Sequence, residues 1–422
     1  MQVSVIIPTY NMEEYIGKCV ESIMSQTLMD IEVICIDDGS TDNTAAVVQE
    51  LQKKYANLLY VWQTNSGSGK ARNMGMLKAR GEFVAFMDAD DFYYSADVLE
   101  ELYNTAKEKS VLICGGSACN YRDGIITYEG IRKGNTFEHD GYVKYTDYQV
   151  PYGFWKFIYK RDFLIENNII FPNYIRCQDP PFFVKAMITA EEFYAISKIC
   201  YCYRKEHKKI FFDTKKIKDY ASGMRDVLIL SRENRLSVLH TEVINELHNE
   251  VAALLYREIA NGNKALEYLV NEINENIDES LICKKKLLGS KLYLVPIEEI
   301  ETYVNETEKR KKYFIEDLKK NESVYVYGAG LIGKRILRFL TEEKVNVNAV
   351  LVSSKNQNPD FIGDVAVKEI ASVTIKEKDV VLIATFPYLH EEIEQMLLSK
   401  NVTNYQKIDV EEFIMYEKEL TH

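Results

Sequence analysis

The sequence predicts an α/β protein: a mostly parallel sheet with flanking helices, then a helical middle region, then a second, smaller α/β domain. Three observations carry this. Apolar runs at 3–7, 31–36, 58–62 and 83–87 have the length of strands buried on both faces. Stretches of helical periodicity lie between them, and strands that alternate with helices pair in parallel. A strand–turn–helix pattern then restarts at Val324, after a stretch rich in Glu, Lys, Asn and Leu.

The elements follow in order. Val3–Ile7 is the first strand. Tyr15, Ile16, Cys19, Val20, Ile23 and Met24 recur at helical spacing and mark one apolar face. Ser40-Thr41-Asp42 offers N-caps to a helix at 43–55, and a third helix runs over 69–80. Residues 111–204 are more mixed, with aromatic, β-prone pieces from Tyr148 to Tyr159, a helix near 179–189 and two strands at 193–197 and 199–203. Residues 215–320 read as helices. In the last part, Val324–Tyr327 is a strand, Gly328-x-Gly330-x-x-Gly333 opens a helix, strands lie at 347–352 and 379–384, and a helix at 389–399. The domains are therefore expected at 1–214, 215–320 and 321–422.

Of the 422 residues, 46% are hydrophobic and 27% charged, which is globular composition. The net charge of −12 disfavours binding to a nucleic-acid backbone. The eight cysteines form no CxxC pair and no zinc spacing, and most lie in apolar runs, so buried, reduced thiols are expected. The N-terminus lacks a basic segment leading into a long apolar one, and no window nears the roughly 18 apolar residues of a membrane span. A cytoplasmic protein is expected. Lys205, His207, Lys208, Lys209, Lys215, Lys216 and Lys218 surround Phe211-Phe212. That stretch is either a solvated connector or a peripheral contact with the anionic inner face of a membrane. Self-association is left open.

Four polar clusters fall at strand ends in the first domain, where ligands of parallel sheets bind. They are Pro8-Thr9-Tyr10-Asn11-Met12-Glu13, Asp37-Asp38-Gly39-Ser40, the run Asn65 to Asn73, and Asp88-Ala89-Asp90-Asp91. In extended chain, residues i and i+2 point the same way, so Asp88 and Asp90 can present two carboxylates to one site. Converging carboxylates call for a cation, and hard oxygen ligands suit Mn²⁺ or Mg²⁺ completed by phosphate oxygens. The alternative is an acidic turn capping a helix. In the third cluster, Gly67 and Gly69 let backbone N–H groups approach an anion, with Lys70 or Arg72 expected on a pyrophosphate. The cluster departs from the P-loop pattern, so an ATPase is excluded.

These residues resemble glycosyltransferase family 2, of the GT-A fold. The match runs through Val5-Ile6-Ile7-Pro8-Thr9-Tyr10-Asn11, Ile36-Asp37-Asp38-Gly39-Ser40-Thr41-Asp42, Ala71-Arg72-Asn73-Met74-Gly75 and Gly81 to Asp91, and continues more weakly to about residue 204. The resemblance implies that Pro8, Tyr10 and Glu13 line a nucleotide pocket and that Asp38 hydrogen-bonds the base, usually uracil. It implies Asp88 on the ribose side, Asp90 on the metal–diphosphate, and Ala89 between them. Such enzymes invert the anomeric centre in one displacement, with an Asp or Glu as general base. Here the matching segment is Gln178-Asp179-Pro180-Pro181-Phe182-Phe183, with Asp179 as the base and Gln178 in place of the usual Glu. Trp155 falls on the acceptor side, and Tyr203-Arg204 resembles the segment that closes the catalytic domain. The resemblance implies a nucleotide-sugar donor and a cell-surface glycan acceptor, lipid-linked or not. The C-terminal domain resembles Rossmann-like modules appended to polysaccharide-biosynthesis enzymes. Its second strand ends in Val352-Ser353-Ser354, with no acidic residue to hold a ribose. A sugar nucleotidyltransferase and an oxidoreductase run by the C-terminal glycines are the rival readings.

Overall fold

In the computed structural model the described residues are 1–422 except 123, 129–133, 206–211, 289–290, 357, 386–388 and 409–422. Among them His207, Lys208, Lys209 and Phe211 are not included, so the basic-aromatic stretch lies largely outside the described residues. The chain forms two compact units, Met1–Lys209 with Lys215–His240, and Ile210–Thr214 with Thr241–His422.

In the first unit the strands are β1 (Val3–Thr9), β2 (Ile31–Asp37), β3 (Leu58–Trp62), β4 (Phe83–Phe86), β5 (Phe92–Tyr93), β6 (Ile113–Arg122), β7 (Ile125–Thr127), β8 (Gly141–Lys144), β9 (Phe157–Lys160) and β10 (Glu192–Arg204). The helices are α1 (Ile16–Met24), α2 (Thr44–Lys54), α3 (Ser68–Lys78), α4 (Val98–Lys109), α5 (Tyr145–Tyr148), α6 (Arg161–Glu166), α7 (Asp179–Ala190), α8 (Thr214–Glu233) and α9 (Ser237–Glu246). The sheet runs β3-β2-β1-β4-β9-β6-β10-β5, with β7 on β6 and β8 on β10. The expected α/β class is the one found: β3, β2, β1 and β4 are parallel. The antiparallel β9 then joins β4 to β6.

The central strands are apolar throughout because both faces are covered. Val3, Val5 and Ile7 pack with α1, β2 and α4 in one core. Ile6 faces α3, so closely that a Cβ at Gly75 would lie 2.3 Å from its Cγ2. Pro8, in a strand interior, breaks no ladder. The pairing of β1 with β4 ends at Ile6–Phe86, so the side on which proline lacks a donor faces no partner strand. The pairing thus stops short of the carboxyl end of β1, which runs on to Thr9.

One expectation is corrected. The two strands read at 193–197 and 199–203 are a single strand, β10, whose register against β6 shifts between Ala195 and Ile199 and again between Ile199 and Tyr201. An irregularity of this kind disturbs the two-residue period on which sequence reading relies. Helix α8 packs on the segment ahead of α7: the Ile175 N–H donates to Asp219 Oδ2 (2.8 Å), the Tyr174 hydroxyl to Asp226 Oδ2 (2.8 Å), and Gly223 lies against the Cys177 carbonyl.

The second unit carries α10 (Ala252–Ala260), α11 (Glu267–Glu275) and α12 (Ile297–Leu318), then a second sheet. Its strands are β11 (Ser323–Tyr327), β12 (Val347–Val352), β13 (Phe361–Ile362), β14 (Val365–Glu369), β15 (Asp379–Ile383) and β16 (Tyr405–Lys407), in the order β13-β14-β12-β11-β15-β16. Helices α13 (Leu331–Glu342) and α14 (His390–Ser399) accompany it. Gly333 has no room for a side chain, since its Cβ would lie 1.8 Å from the Gly328 carbonyl oxygen. Arg335 on α13 donates to Glu250 Oε1 (2.9 Å) and ties this sheet to the helices before it. No helix among the described residues is long and apolar enough to cross a membrane.

Gly75→Ala is expected to lower stability by about 1–3 kcal/mol through overpacking. Denaturant unfolding checks this; an unchanged midpoint would show that α3 does not press on β1 as described.

Candidate active site

The site lies at the carboxyl ends of β1, β2, β3 and β4. The loop after β1 and the loop after β2 are laced together. The Asn11 N–H donates to Ser40 Oγ (3.0 Å), the Met12 N–H to Thr44 Oγ1 (2.8 Å) and the Glu13 N–H to Asp42 Oδ2 (3.2 Å). In return Glu13 Oε2 accepts the Asn43 N–H and its amide Nδ2, both at 2.8 Å. These bonds satisfy donors at the start of α2. Glu13, expected at the nucleotide, thus spends its carboxylate on a helix terminus. Pro8 is buried and Tyr10 is exposed at the rim.

The loop after β3 corrects a second expectation. Its N–H groups do gather round an anion, but the anion is Asp38. Asp38 Oδ1 accepts the Ser66 N–H (2.9 Å) and Gln63 Nε2 (2.7 Å), and Oδ2 accepts the Gly67 N–H (2.8 Å). Gly67 meets this with φ +93°, a conformation costly to residues with a Cβ. β2 and β3 are adjacent, so the carboxylate at the end of one reaches amides at the end of the other. Those amides are therefore not a pyrophosphate cradle. Lys70 is exposed on the first turn of α3.

Arg72 is inside, with only 5% of its surface exposed. Its Nη2 donates to Asp88 Oδ1 at 2.7 Å, and its guanidinium carbon lies 4.8 Å from the Phe154 ring centre and 5.2 Å from that of Phe171. Nε and Nη1 are buried and have no hydrogen-bond partner among the described residues. The next residue, Asn73, fixes the position of Phe171: its Nδ2 donates to the Phe171 carbonyl (2.8 Å) and its Oδ1 accepts the Phe171 N–H (3.0 Å). Phe171 in turn stacks on Phe182 of α7, with centroids 3.9 Å apart.

The acidic turn after β4 is held from β10. The Tyr201 hydroxyl donates to Asp91 Oδ2 (2.7 Å) and accepts the Asp88 N–H (3.1 Å). The Arg204 N–H donates to Asp91 Oδ1 (2.7 Å), and its Nε to the Asp90 carbonyl (2.7 Å). The Arg204 guanidinium lies over the rings of Tyr15, Phe92 and Tyr121. Burial, and then the charges of Asp90 and Asp88, push the Asp91 carboxyl well above the usual carboxylate range. Asp88 and Asp90 are half-buried; Ala89 has its methyl in the core, so any donor contact there is made by its backbone.

Asp179 is the first residue of α7, followed by two prolines, with Gln178 at the cap position. Gln178 Nε2 donates to Ser68 Oγ (2.7 Å) at the start of α3, so the residue standing where the usual Glu would be ties the two helices. Burial raises the Asp179 pKa above the ordinary value; the charges of Arg72 and Arg176 pull it down and that of Asp88 pushes it up. Trp155 stacks on Tyr201, centroids 4.2 Å apart, with Tyr203 at 5.8 Å. Tyr201 is the site residue the sequence did not point to. Among the described residues no three of His, Cys, Asp and Glu converge as a metal site.

Residues 4–166 match the model of glycosyl transferase family 2. The matched residues hold all four strand-end clusters, and Asp179 and Arg204 lie beyond them. The chain is 31% identical over 209 residues to EpsJ of Bacillus subtilis strain 168, an uncharacterized glycosyltransferase, covering 48% of this chain and 60% of that protein. It is 32% identical over 198 residues to a poly(ribitol-phosphate) beta-glucosyltransferase of Bacillus spizizenii, covering 46% of this chain and 30% of that protein. The chain thus spans well under two thirds of either relative. It has the fold of S. aureus TarS 1-349 solved with UDP-GlcNAc, at a TM-score of 0.58 and 23% identity over 74% of this chain and 92% of that one.

Tyr201→Phe is expected to cost about 1–3 kcal/mol, because it leaves a buried carboxylate oxygen and the Asp88 N–H without their shared hydroxyl. Thermal unfolding checks this; a loss below a few tenths of a kcal/mol would show that water replaces the hydroxyl.

Proposed function

We propose that this protein is an inverting, metal-dependent glycosyltransferase that moves a sugar from a nucleotide-sugar, a UDP-sugar, to a hydroxyl of a cell-surface glycan. The observation that carries the reading is the acidic turn beyond β4. It stands where the pairing of β1 with β4 ends, with Arg72 bonded to Asp88 and acting electrostatically on Asp179. The names of relatives point the same way, since one acts on poly(ribitol phosphate) and a protein of the same fold was solved with UDP-GlcNAc.

The donor would enter over β1 and β2. Asp38 Oδ2 takes only the Gly67 N–H, and a carboxylate oxygen has a second lone pair for an N–H of the base. Tyr10 at the rim offers a ring face to it. Asp88 and Asp90 are the residues that would hold Mn²⁺ or Mg²⁺. They fit the ion: two hard carboxylates two residues apart on one turn leave most positions to phosphate oxygens and water. When bound, the ion would offset charge growing on the departing diphosphate.

Asp179 would take the proton of the acceptor hydroxyl as it attacks the anomeric carbon. Its raised pKa suits a base working nearer neutrality. Arg72 keeps Asp88 aimed and holds Asp179 from rising further. Trp155, on its stack with Tyr201, would border the acceptor. We read the second sheet as a Rossmann-like module serving structure or assembly.

Asp90→Ala is expected to abolish turnover of a UDP-sugar with the fold retained, and EDTA to do the same to the unaltered protein; full activity in EDTA would exclude the metal. Asp179→Asn is expected to slow transfer by about 10²–10⁴-fold while leaving nucleotide binding intact. The base works deprotonated, so kcat/KM should rise with pH through a midpoint above the ordinary aspartate range, and that limb should vanish in Asp179→Asn. A limb that persists would assign the base elsewhere.

A further inference from the structure

Cys119 on β6 and Cys202 on β10 are direct partners in the parallel register, and their sulfurs are 3.2 Å apart. Neighbouring strands lie about 4.8 Å apart, inside the roughly 4.4–6.8 Å span between Cα atoms that a disulfide bridges. Both side chains are buried, but the exposed Tyr128 interacts electrostatically with both, so the pair sits close to the surface. The other buried thiols differ. Burial pushes Cys35 and Cys114 up to about 12, which leaves them unreactive. Cys119 instead shares a hydrogen bond with Cys202, which lowers its pKa and makes it the readier nucleophile.

The pair also has a lever. On β10, Cys202 lies between Tyr201 and Arg204, the two residues that hold Asp91 and the Asp90 carbonyl. On β6, two residues beyond Cys119, the Tyr121 ring faces the Arg204 guanidinium at 4.9 Å. Drawing the sulfurs from 3.2 Å to the roughly 2.05 Å of a bond moves strands that bear on the acidic turn.

We propose that Cys119 and Cys202 are an oxidisable pair, a disulfide site across β6 and β10 whose closure shifts the support of the Asp88–Asp91 turn. With a diazene oxidant such as diamide, the Cys119 thiolate adds to the N=N bond. Cys202 sulfur then attacks Cys119 sulfur and expels the hydrazine. Two electrons pass to the N=N bond, the two thiol protons end on its nitrogens, and dithiothreitol reverses the reaction.

The test uses the full chain, treated with diamide, blocked with N-ethylmaleimide and mapped as non-reduced peptides. The expected product is a Cys119–Cys202 linked peptide, absent from Cys119→Ser and Cys202→Ser and lost on reduction. Free Cys119 and Cys202 in a chain that remains folded, or linkage of either to another cysteine, overturns the proposal. The effect on the turn rests on the donor site proposed above and is read separately, as thermal stabilisation by UDP with Mn²⁺. The oxidised chain is expected to need several-fold more UDP than the reduced chain, and Cys202→Ser to be indifferent to diamide. Equal responses overturn the pull on the turn. No response from either form, with the linked peptide present, overturns the donor reading and the pull with it, and leaves the disulfide site standing.

Discussion

The pairing of Arg72 with Asp88 is the contact on which the site depends. Asp88, Asp90, Asp91 and Asp179 influence one another electrostatically. Negative groups so placed repel, and burial adds a desolvation cost to each. A cation inside the fold offsets part of this, but a buried cation is itself costly unless it is paired. Arg72 resolves both with one geometry: a bond to Asp88 Oδ1, and flat faces toward Phe154 and Phe171. A lysine could make the bond but could not fill a flat slot between rings.

The segment around Arg72 divides its work residue by residue. Ala71 is buried. Asn73 holds the backbone of Phe171, one of the two rings that flank the guanidinium. Gly75 lets the helix lie against Ile6 of β1, so that Arg72 reaches the end of β4. Just beyond β2, Asp38 spends three of its hydrogen bonds on loop donors before any ligand arrives. A carboxylate fixed in this way costs no reorganisation when a base is bound.

The sequence made the parallel half of the sheet legible, because strands covered on both faces are apolar throughout and carry their polar residues at one end. It also led to Asp88, Asp90 and Asp179 by spacing and resemblance. It did not lead to the partners of those residues. Tyr201 and Arg204 are more than a hundred positions from the turn they hold, and β10 carries an irregularity that made one strand read as two. In the glycine-rich loop the Ser66 and Gly67 amides meet the carboxylate of Asp38, which the sequence does not reveal because the pairing of β2 with β3 that brings it there is a tertiary fact. Arg204 is enclosed by rings that its own stretch of sequence does not supply. The three rings that receive it come from the loop before α1, from β5 and from β6.

Three aspartates in four residues look interchangeable on paper, and their surroundings separate them. Asp91 is enclosed, with one oxygen taken by the Tyr201 hydroxyl and the other by the Arg204 N–H. Its raised pKa reflects a group that tolerates its place only through those bonds, so it serves as a foundation and is a poor candidate for ligation. Asp88 is half committed, with one oxygen on Arg72. At Asp90 it is the carbonyl that Arg204 secures, which fixes the backbone that aims the carboxylate. On the proposed reading, a turn that offers oxygens to a cation while standing in a protein interior needs this division. If all three were equally open the turn would repel itself, and if all three were equally bound nothing would remain to grip an ion.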